Sequence, residues 1–550
     1  MRIVTFNNRR VIEPGAYSQI LGGNTQSPDV ATTGNVMIID DGIGAGYGYG
    51  SGINGDLESS LKSIYAFDRL DDFQKAVRGG ALWEAGKLLF NPSKDARIKG
   101  CNRLFLVTAA TTTKSTITFS WTGGYCITST TAGGTITFYG VTEGVRGNGA
   151  KTGAVLTTGF AMKMVAGVVD NTKFMLQLWQ GTYKGLDDDS VPFDDIAAAS
   201  TSATLLAQSP EFINLADVIT WAKTDAVLNQ YYTHGTSTLN GTGVVDATDL
   251  ANNTGYNLST GGTTVYNAGD FASVLDTIKE VDNTFFLSCQ YGDNAQNIKN
   301  SQLLAHMQVD AEFDKFMVVG GGANATKLTQ TNGSIPTAVF FNSEKVFVTH
   351  SSIRVPSSSA PLGYKVRSTF YHAAAACGRM AGLEAQTPLT WKDLNVIGVT
   401  HELTQSQREQ CLLAGVLHLK NVPELGWVVN QDINTLQKNT QEINQDGTSF
   451  EGSLMRIAAI LNKELTINLR SKFTGKNAAT SSPSDIKSFI EGYLQARTST
   501  KTQDNLIILG KNVNVQLKGS DYDIKYSFMA NGPIDRLFIS GFMLDVNLSA

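Results

Sequence analysis

The chain has 550 residues, 42% hydrophobic and 17% charged, a folded profile too long for one ordinary core, so disorder is excluded and several domains are expected. Its formal charge of −5 gives no long-range attraction for nucleic acid or an anionic membrane, and neither is an expected partner. Five scattered cysteines (Cys101, Cys126, Cys289, Cys377, Cys411) form no CxxC pair or zinc spacing, and no signal peptide or membrane-length apolar run is seen, which predicts reduced thiols and folding in a cytoplasm.

Residues 2–6 read as a short strand, with Ile3, Val4 and Phe6 as its apolar members, followed by a polar stretch and the turn Glu13-Pro14-Gly15. Residues 35–40 (NVMIID) form a buried-type strand that runs into a glycine-rich loop over 42–52. Residues 64–90 fit two helices interrupted by Gly79 and Gly80, and 103–108 (RLFLVT) fit a buried strand, which together make an α/β unit. Between 114 and 161 the pattern becomes Thr/Gly-rich alternation, with ITFSW, CITST and ITFYG as strands of a β-rich segment.

A mixed region follows, with helices at 214–230 and 271–281 and strands at 173–178, FFLSC, FMVVGG, AVFF and KVFVTH. The span 236–269 carries little helix or strand pattern and reads as a surface excursion. Small polar residues and two prolines over 351–361 predict a domain boundary. Beyond it come an Ala-rich helix over 371–383, a helix opened by the Thr404/Gln407 capping box, and an amphipathic helix with Leu454, Ile457, Ala458, Leu461 and Leu465 on one face. Ser482, Pro483 and Asp485 open another helix.

The period then changes from 3.6 to 2. Val513, Val515 and Leu517 alternate with polar residues, as do Tyr522, Ile524, Tyr526 and Phe528 across the turn at 519–521, so a hairpin is expected. Phe542, Leu544, Val546 and Leu548 alternate in a last strand. Isolated hairpins are marginal, so these strands either complete a sheet of their own chain or add to a neighbouring one.

Chemistry is sparse. The strand over 35–40 leads into a glycine-rich turn, but no window satisfies GxGxxG and no helix follows promptly, so a surface loop is expected. Gly320 to Gly322 lack the Lys-Ser/Thr of a phosphate loop, and the acidic run over 187–189 lacks the spacing of a calcium loop. Six histidines form no HExxH and adjoin no nucleophile motif; a triad assembled from distant residues, as in an α/β hydrolase, stays open as a reading of another class. No catalytic residue, cofactor or metal is therefore expected. Arg456, Lys463 and Arg470 recur every seventh residue and share a helical stripe, either a partner contact or a solvated basic face.

The order of C-terminal features, from the Ala-rich helix through MAGLEAQTPLTWKDLNVIGV, LAGVLHLKNVPELGWVVNQDINTL and LMRIAAILNKEL to the terminal strands, resembles contractile phage tail sheath proteins. At the other end Glu13-Pro14-Gly15-Ala16-Tyr17 resembles that family's Pro-Gly-Val-Tyr signature, and Gly144-Val145-Arg146-Gly147-Asn148-Gly149 its Gly-x-x-Gly-Asn turn. Ala16 departs from the usual valine, residues 430–436 replace the usual Gly-Arg-Thr-Leu run, and 160–355 show no resemblance.

The resemblance implies a multidomain mixed α/β (α+β) fold of tail-sheath type. Residues 1–22 would be a linking arm, 23–112 the first α/β segment, 113–165 a β-rich segment, 166–355 an outward-facing mixed region, 356–530 a C-terminal domain facing the tube, and 531–550 a second arm. It implies a structural subunit without enzymatic activity, polymerised with itself in hexameric rings around a tail tube protein, with baseplate and tail terminator proteins as further partners. The particle would be a virion assembled in the host cytoplasm, or alternatively a phage-derived injection particle. Ile3, Val4, Phe6, Val513, Val515, Leu517, Tyr522, Ile524, Tyr526, Phe528, Phe542, Leu544, Val546 and Leu548 would then serve strand exchange between subunits, and Arg456, Lys463 and Arg470 the tube contact.

Overall fold

A computed structural model describes residues 4–6, 9–11, 34–40, 64–76, 80–108, 110–120, 135–143, 149–152, 155–170, 172–181, 203–238, 255–261, 263–266, 268–288, 294–310, 313–322, 324, 326–330, 333–356, 363–436, 450–475, 482–498, 506–518 and 521–531. At its centre lies a seven-stranded sheet in the order Val416–Leu417, Val346–Thr349, Phe316–Gly320, Phe285–Ser288, Asn35–Asp40, Arg103–Thr108, Ile64–Phe67. Every neighbouring pair is parallel except the last, where Ile64–Phe67 runs antiparallel along the edge.

Strands covered on both faces need apolar residues at every position, which is why NVMIID, FFLS, FMVV and VFVT are continuous runs rather than alternations. Successive residues still divide between the faces. Val36, Ile38, Leu104, Leu106, Phe285, Leu287 and Val318 meet helices Gly80–Phe90 and Thr369–Ala381. Met37, Ile39, Phe286, Met317, Val319, Val346 and Val348 meet helices Ala268–Thr277, Asn294–Ala305, Ser334–Phe341 and Gln405–Ala414. The result is a three-layer α/β body.

Thr369–Ala381 is buried along its whole length. Its run of alanines lets it lie close to both the sheet and helix Gly80–Phe90. At the crossing a Cβ on Gly378 would stand 2.6 Å from the Leu89 carbonyl oxygen, so glycine is required there by proximity.

A β-unit is inserted between strands Arg103–Thr108 and Phe285–Ser288. It has two antiparallel four-stranded sheets, Thr204–Gln208, Phe174–Gln180, Phe160–Ala166, Asn257–Leu258 and Tyr232–Thr238, Thr135–Glu143, Ala110–Ser120, Thr263–Tyr266. Ile117, Phe119, Phe138, Met162, Phe174 and Leu178 fill its core together with Leu215 and Val218 of helix Leu215–Thr224. Buried Tyr232 donates to Ser259 Oγ at 2.6 Å and lies 3.3 Å from Ser115 Oγ.

Several sequence expectations are corrected. AVFF lies in helix Ser334–Phe341, because a short apolar run has the same pattern in a buried helix and a buried strand. The span 236–269 contributes strands Asn257–Leu258 and Thr263–Tyr266, whose pairing comes from Phe160–Ala166 and Ala110–Ser120 rather than from local pattern. The β-rich segment therefore extends well past 165. Residues 64–67, expected to be helical, form the edge strand before helix Leu70–Ala76. The polar stretch at 351–361 does not divide the core: Ile353–Pro356 pairs with Tyr364–Arg367 and Gly398–Val399, and Val416–Leu417 closes the central sheet. The glycine-rich loop over 42–52, CITST, the acidic run over 187–189 and Gly144 to Asn148 lie outside the described residues.

Candidate subunit interface

The C-terminal part of the chain builds an appendage on the α/β body. Helix Gly452–Phe473 buries Ile457, Leu461, Leu465 and Leu469 against Ile486, Ile490 and Leu494 of helix Pro483–Arg497, which starts from the capping box of Ser482 and Asp485. Strands Ile507–Lys518 and Asp521–Ala530 form the expected antiparallel hairpin. Val515 stands opposite Ile524 and Leu517 opposite Tyr522, so the alternating apolar residues of both strands share a face. Val513, Phe528 and Ile507 are buried with the two helices, and Val515, Tyr522, Ile524 and Tyr526 are half-buried beside them.

Register shifts at 507/509 and 511/514, the second containing Asn512 at φ 57°, bend the ribbon over Leu494. Among the described residues this sheet has two strands, and Ile508, Met529 and Leu517 stay 58%, 55% and 48% exposed. A hairpin with two outer edges and apolar side chains in solvent has the form of a strand-addition site.

At the other end Val4–Phe6 pairs antiparallel with Arg9–Val11, Val4 opposite Val11 and Phe6 opposite Arg9. Ile3, Phe542, Leu544, Val546 and Leu548 lie outside the described residues.

The basic stripe of helix Gly452–Phe473 turns toward the body of its own chain. Arg456 is 2% exposed; its Nη2 donates to Asp432 Oδ2 at 2.8 Å and to the Thr387 carbonyl at 2.9 Å, and its Nη1 to the Met380 carbonyl at 3.3 Å. Asp432 is fully buried and also accepts from the Leu389 amide at 2.9 Å. The expectation of a tube contact at Arg456 is thus corrected: a seven-residue repeat fixes that three residues share a side, not which side it is. Lys463 pairs with Asp282 and lies over the Phe313 ring, and the Arg470 guanidinium lies 6.0 Å from the same ring.

The same helix is fastened to the body by a polar chain. Lys345 pairs with Asp314 at 2.8 Å, Asn462 Nδ2 donates to Asp314 Oδ2 at 3.4 Å, and Tyr526 of the hairpin donates to Asn462 Oδ1 at 2.6 Å. Nearby, Tyr493 donates to Glu464 Oε2 at 2.8 Å. Burial pushes the Glu464 carboxyl up to about 7, against the opposing effects of the Tyr493 hydroxyl and Lys463.

No motif announced the histidines that the fold collects at the carboxyl edge of the sheet. His350 follows strand Val346–Thr349, His418 follows Val416–Leu417, His372 lies on helix Thr369–Ala381 and His401 on the loop after Gly398–Val399. His350 Nδ1 is 2.7 Å from Ser334 Oγ, and its Nε2 is 2.9 Å from His401 Nδ1. Burial holds His350 down to about 3 and His372 and His418 to about 4, and it lowers His401 as well. The only sequence signal was the position of His350 and His418 directly after apolar runs. Ser334 is fully buried, and no carboxylate hydrogen-bonds His401 among the described residues, so the array lacks the reach and the orienting acid of a hydrolytic triad. Among the described residues no group of three or more His, Cys, Asp or Glu is placed to hold a metal, and no helix is long and apolar enough to cross a membrane.

This architecture is the fold of sheath tail proteins. The chain superposes on the crystal structure of the sheath tail protein from Desulfitobacterium hafniense with a TM-score of 0.50, covering 93% of this chain and 100% of the other at 14% identity. In sequence it is similar to the tail sheath protein of Bacillus phage SP01, 23% identical over 245 residues, 44% of this chain and 40% of the relative, so it spans less than half of that relative's length. These findings bear out the resemblance to contractile tail sheath proteins. The sheath tail protein of Listeria innocua gives a TM-score of 0.44 at 12% identity, covering 92% and 96% of the two chains, too loose a superposition to argue from. No family model matches the chain.

Proposed function

We propose that the protein is a structural subunit of a contractile tail sheath, polymerised helically around a tail tube and contracting to drive the tube through a cell envelope for genome delivery. The observation that carries this reading is the sheath-tail fold over nearly the whole chain, joined to a sequence relative that is itself a phage tail sheath protein. In this reading the subunit is a component of the virion, in rings of six, and meets tube, baseplate and terminator proteins. Residues 166–355 face outward, and the C-terminal helices face the tube through sides other than the basic stripe, whose Lys463 and Arg470 pack on the chain's own body.

Subunits are linked by strand exchange. The hairpin Ile507–Lys518 and Asp521–Ala530 accepts strands on its edges, and the segments holding Ile3, Val4 and Phe6 and Phe542, Leu544, Val546 and Leu548 supply them. Such links hold neighbours together while rigid bodies rotate, so contraction draws its work from new subunit interfaces rather than from a nucleotide.

Negative-stain electron microscopy of the purified full chain tests the reading. Striated hollow tubes are expected; monodisperse monomers at high concentration would refute it. Deleting residues 534–550 is expected to leave a folded subunit, by circular dichroism, that no longer forms tubes.

A further inference from the structure

We propose that Ser334, His350 and His401 form a proton-operated latch: a one-way hydrogen-bond chain that fastens the loop around His401 to the carboxyl edge of the central sheet and lets go when His401 gains a proton.

The direction of the chain follows from its donors. The Gly322 amide donates to Ser334 Oγ at 2.7 Å, so the Ser334 hydroxyl hydrogen must go elsewhere. Its short option is His350 Nδ1 at 2.7 Å; the other, the Gly322 carbonyl, is 3.4 Å away. With Nδ1 accepting, neutral His350 carries its hydrogen on Nε2 and donates it to His401 Nδ1 at 2.9 Å. His401 then holds its own hydrogen on Nε2. Every link is satisfied with both rings neutral, and only His401 is part-exposed to solvent; His350 and Ser334 are fully buried.

A proton arriving at His401 Nδ1 sets two N–H groups against each other at 2.9 Å. Relief inside the closed structure requires His350 to move its hydrogen to Nδ1 and Ser334 to turn to the 3.4 Å carbonyl, a stretched and weaker bond. The alternative is for the loop to leave. Between the buried anchors Val399 and Leu403, its other ties to the body include the His401 amide to Ser351 Oγ at 3.0 Å, the Thr400 amide to the Ser352 carbonyl at 2.9 Å, and the Thr400 hydroxyl near Ser351 Oγ and the Ser352 carbonyl at 3.4 Å, so the part free to swing out is the turn at 400–402.

Among the described residues on the elements packed against this site, no acidic side chain pairs with either ring. Strand Val346–Thr349, the turn at 320–322 and helix Ser334–Phe341 bring no charged side chain to the site. His372 and His418, the titratable groups facing it from helix Thr369–Ala381 and from the edge strand, are themselves buried and would add like charge. Arg408 of helix Gln405–Ala414 is also cationic and donates to the Leu403 carbonyl at 2.6 Å. Glu402 is the neighbouring acid in the loop and is exposed to water.

Hydrogen exchange read by mass spectrometry on the full chain, at pH 7.5 and pH 5.0 and corrected for the intrinsic pH dependence of exchange, tests the latch. Peptides covering 399–403 are expected to lose protection by about tenfold at pH 5.0 while strand Val346–Thr349 stays unchanged. His401→Asn keeps an acceptor for the His350 Nε2 hydrogen but cannot take a proton, and it is expected to abolish the loss; His401→Gln repeats the test should the shorter side chain fail to fold. Unchanged protection in the wild type, or the same loss in both substituted chains, would overturn the proposal. Neither result touches the sheath reading, which stands or falls on tube formation.

Discussion

Arg456→Met separates a structural cation from one kept for a partner. The substitution preserves length and apolar bulk in helix Gly452–Phe473 but removes four hydrogen bonds: those to Asp432 and to the Thr387, Met380 and Gly452 carbonyls. Asp432 is left fully buried with the Leu389 amide as its remaining donor at Oδ2. Removing one member of a buried pair costs about 3–5 kcal/mol, because the other charge stays behind without compensation. Replacing both, as in Arg456→Met with Asp432→Leu, removes that stranded charge and is expected to recover a large share of the loss. Urea unfolding followed by tryptophan fluorescence gives the midpoints from which the four-chain cycle is built. A single-substitution cost below about 1 kcal/mol, in the range of a surface ion pair, would refute the inward assignment of Arg456 and return it to the free basic face expected from its spacing.

Gly378→Ala places a methyl group 2.6 Å from the Leu89 carbonyl oxygen and 2.7 Å from its Cα, so two backbones must part; a loss of about 1–3 kcal/mol, or failure to fold, is expected by thermal unfolding. Glu464→Gln keeps an acceptor for Tyr493 and removes the ionisation. The Glu464 carboxyl is raised in the fold, so wild-type stability is full below the ordinary glutamate range near pH 4.5 and declines as pH rises through about 7. The Gln chain should match the wild type near pH 4.5 and exceed it by about 1–3 kcal/mol at pH 8 in paired urea titrations, each unit of displaced pKa being about 1.4 kcal/mol. Equal stability at both pH values would contradict the burial of that carboxylate.

What could be read in advance was whatever local pattern decides. The 513–528 hairpin rests on a clean period of two, and the helices after Thr404 and Ser482 begin at capping boxes that are both formed. The central strands were visible as runs too apolar for a solvated face. Pattern failed where the partner is remote in sequence: Thr263–Tyr266 is a strand because Ala110–Ser120 lies beside it, and 351–361 reads as a linker although Ile353–Pro356 within it pairs with Tyr364–Arg367 and Gly398–Val399. The candidate site divides the same way. The hairpin face was legible, whereas Arg456 turns inward because Asp432 waits there, and His350 meets His401 across a loop that no spacing rule encodes.

The inserted β-unit carries a consequence for how the chain is made. Central strand Asn35–Asp40 gains one neighbour at residue 103 but must wait for residue 285 for the other, and the sheet is closed only when residue 417 has emerged. The insertion, by contrast, pairs its strands among residues 110–266 and holds its own core. On the ribosome it is therefore complete while NVMIID and RLFLVT, with helix Gly80–Phe90 available to one face, still lack the later helices that cover the other. A finished domain emerges tethered to an unfinished one, and one apolar face of those strands stays uncovered during synthesis of the residues between.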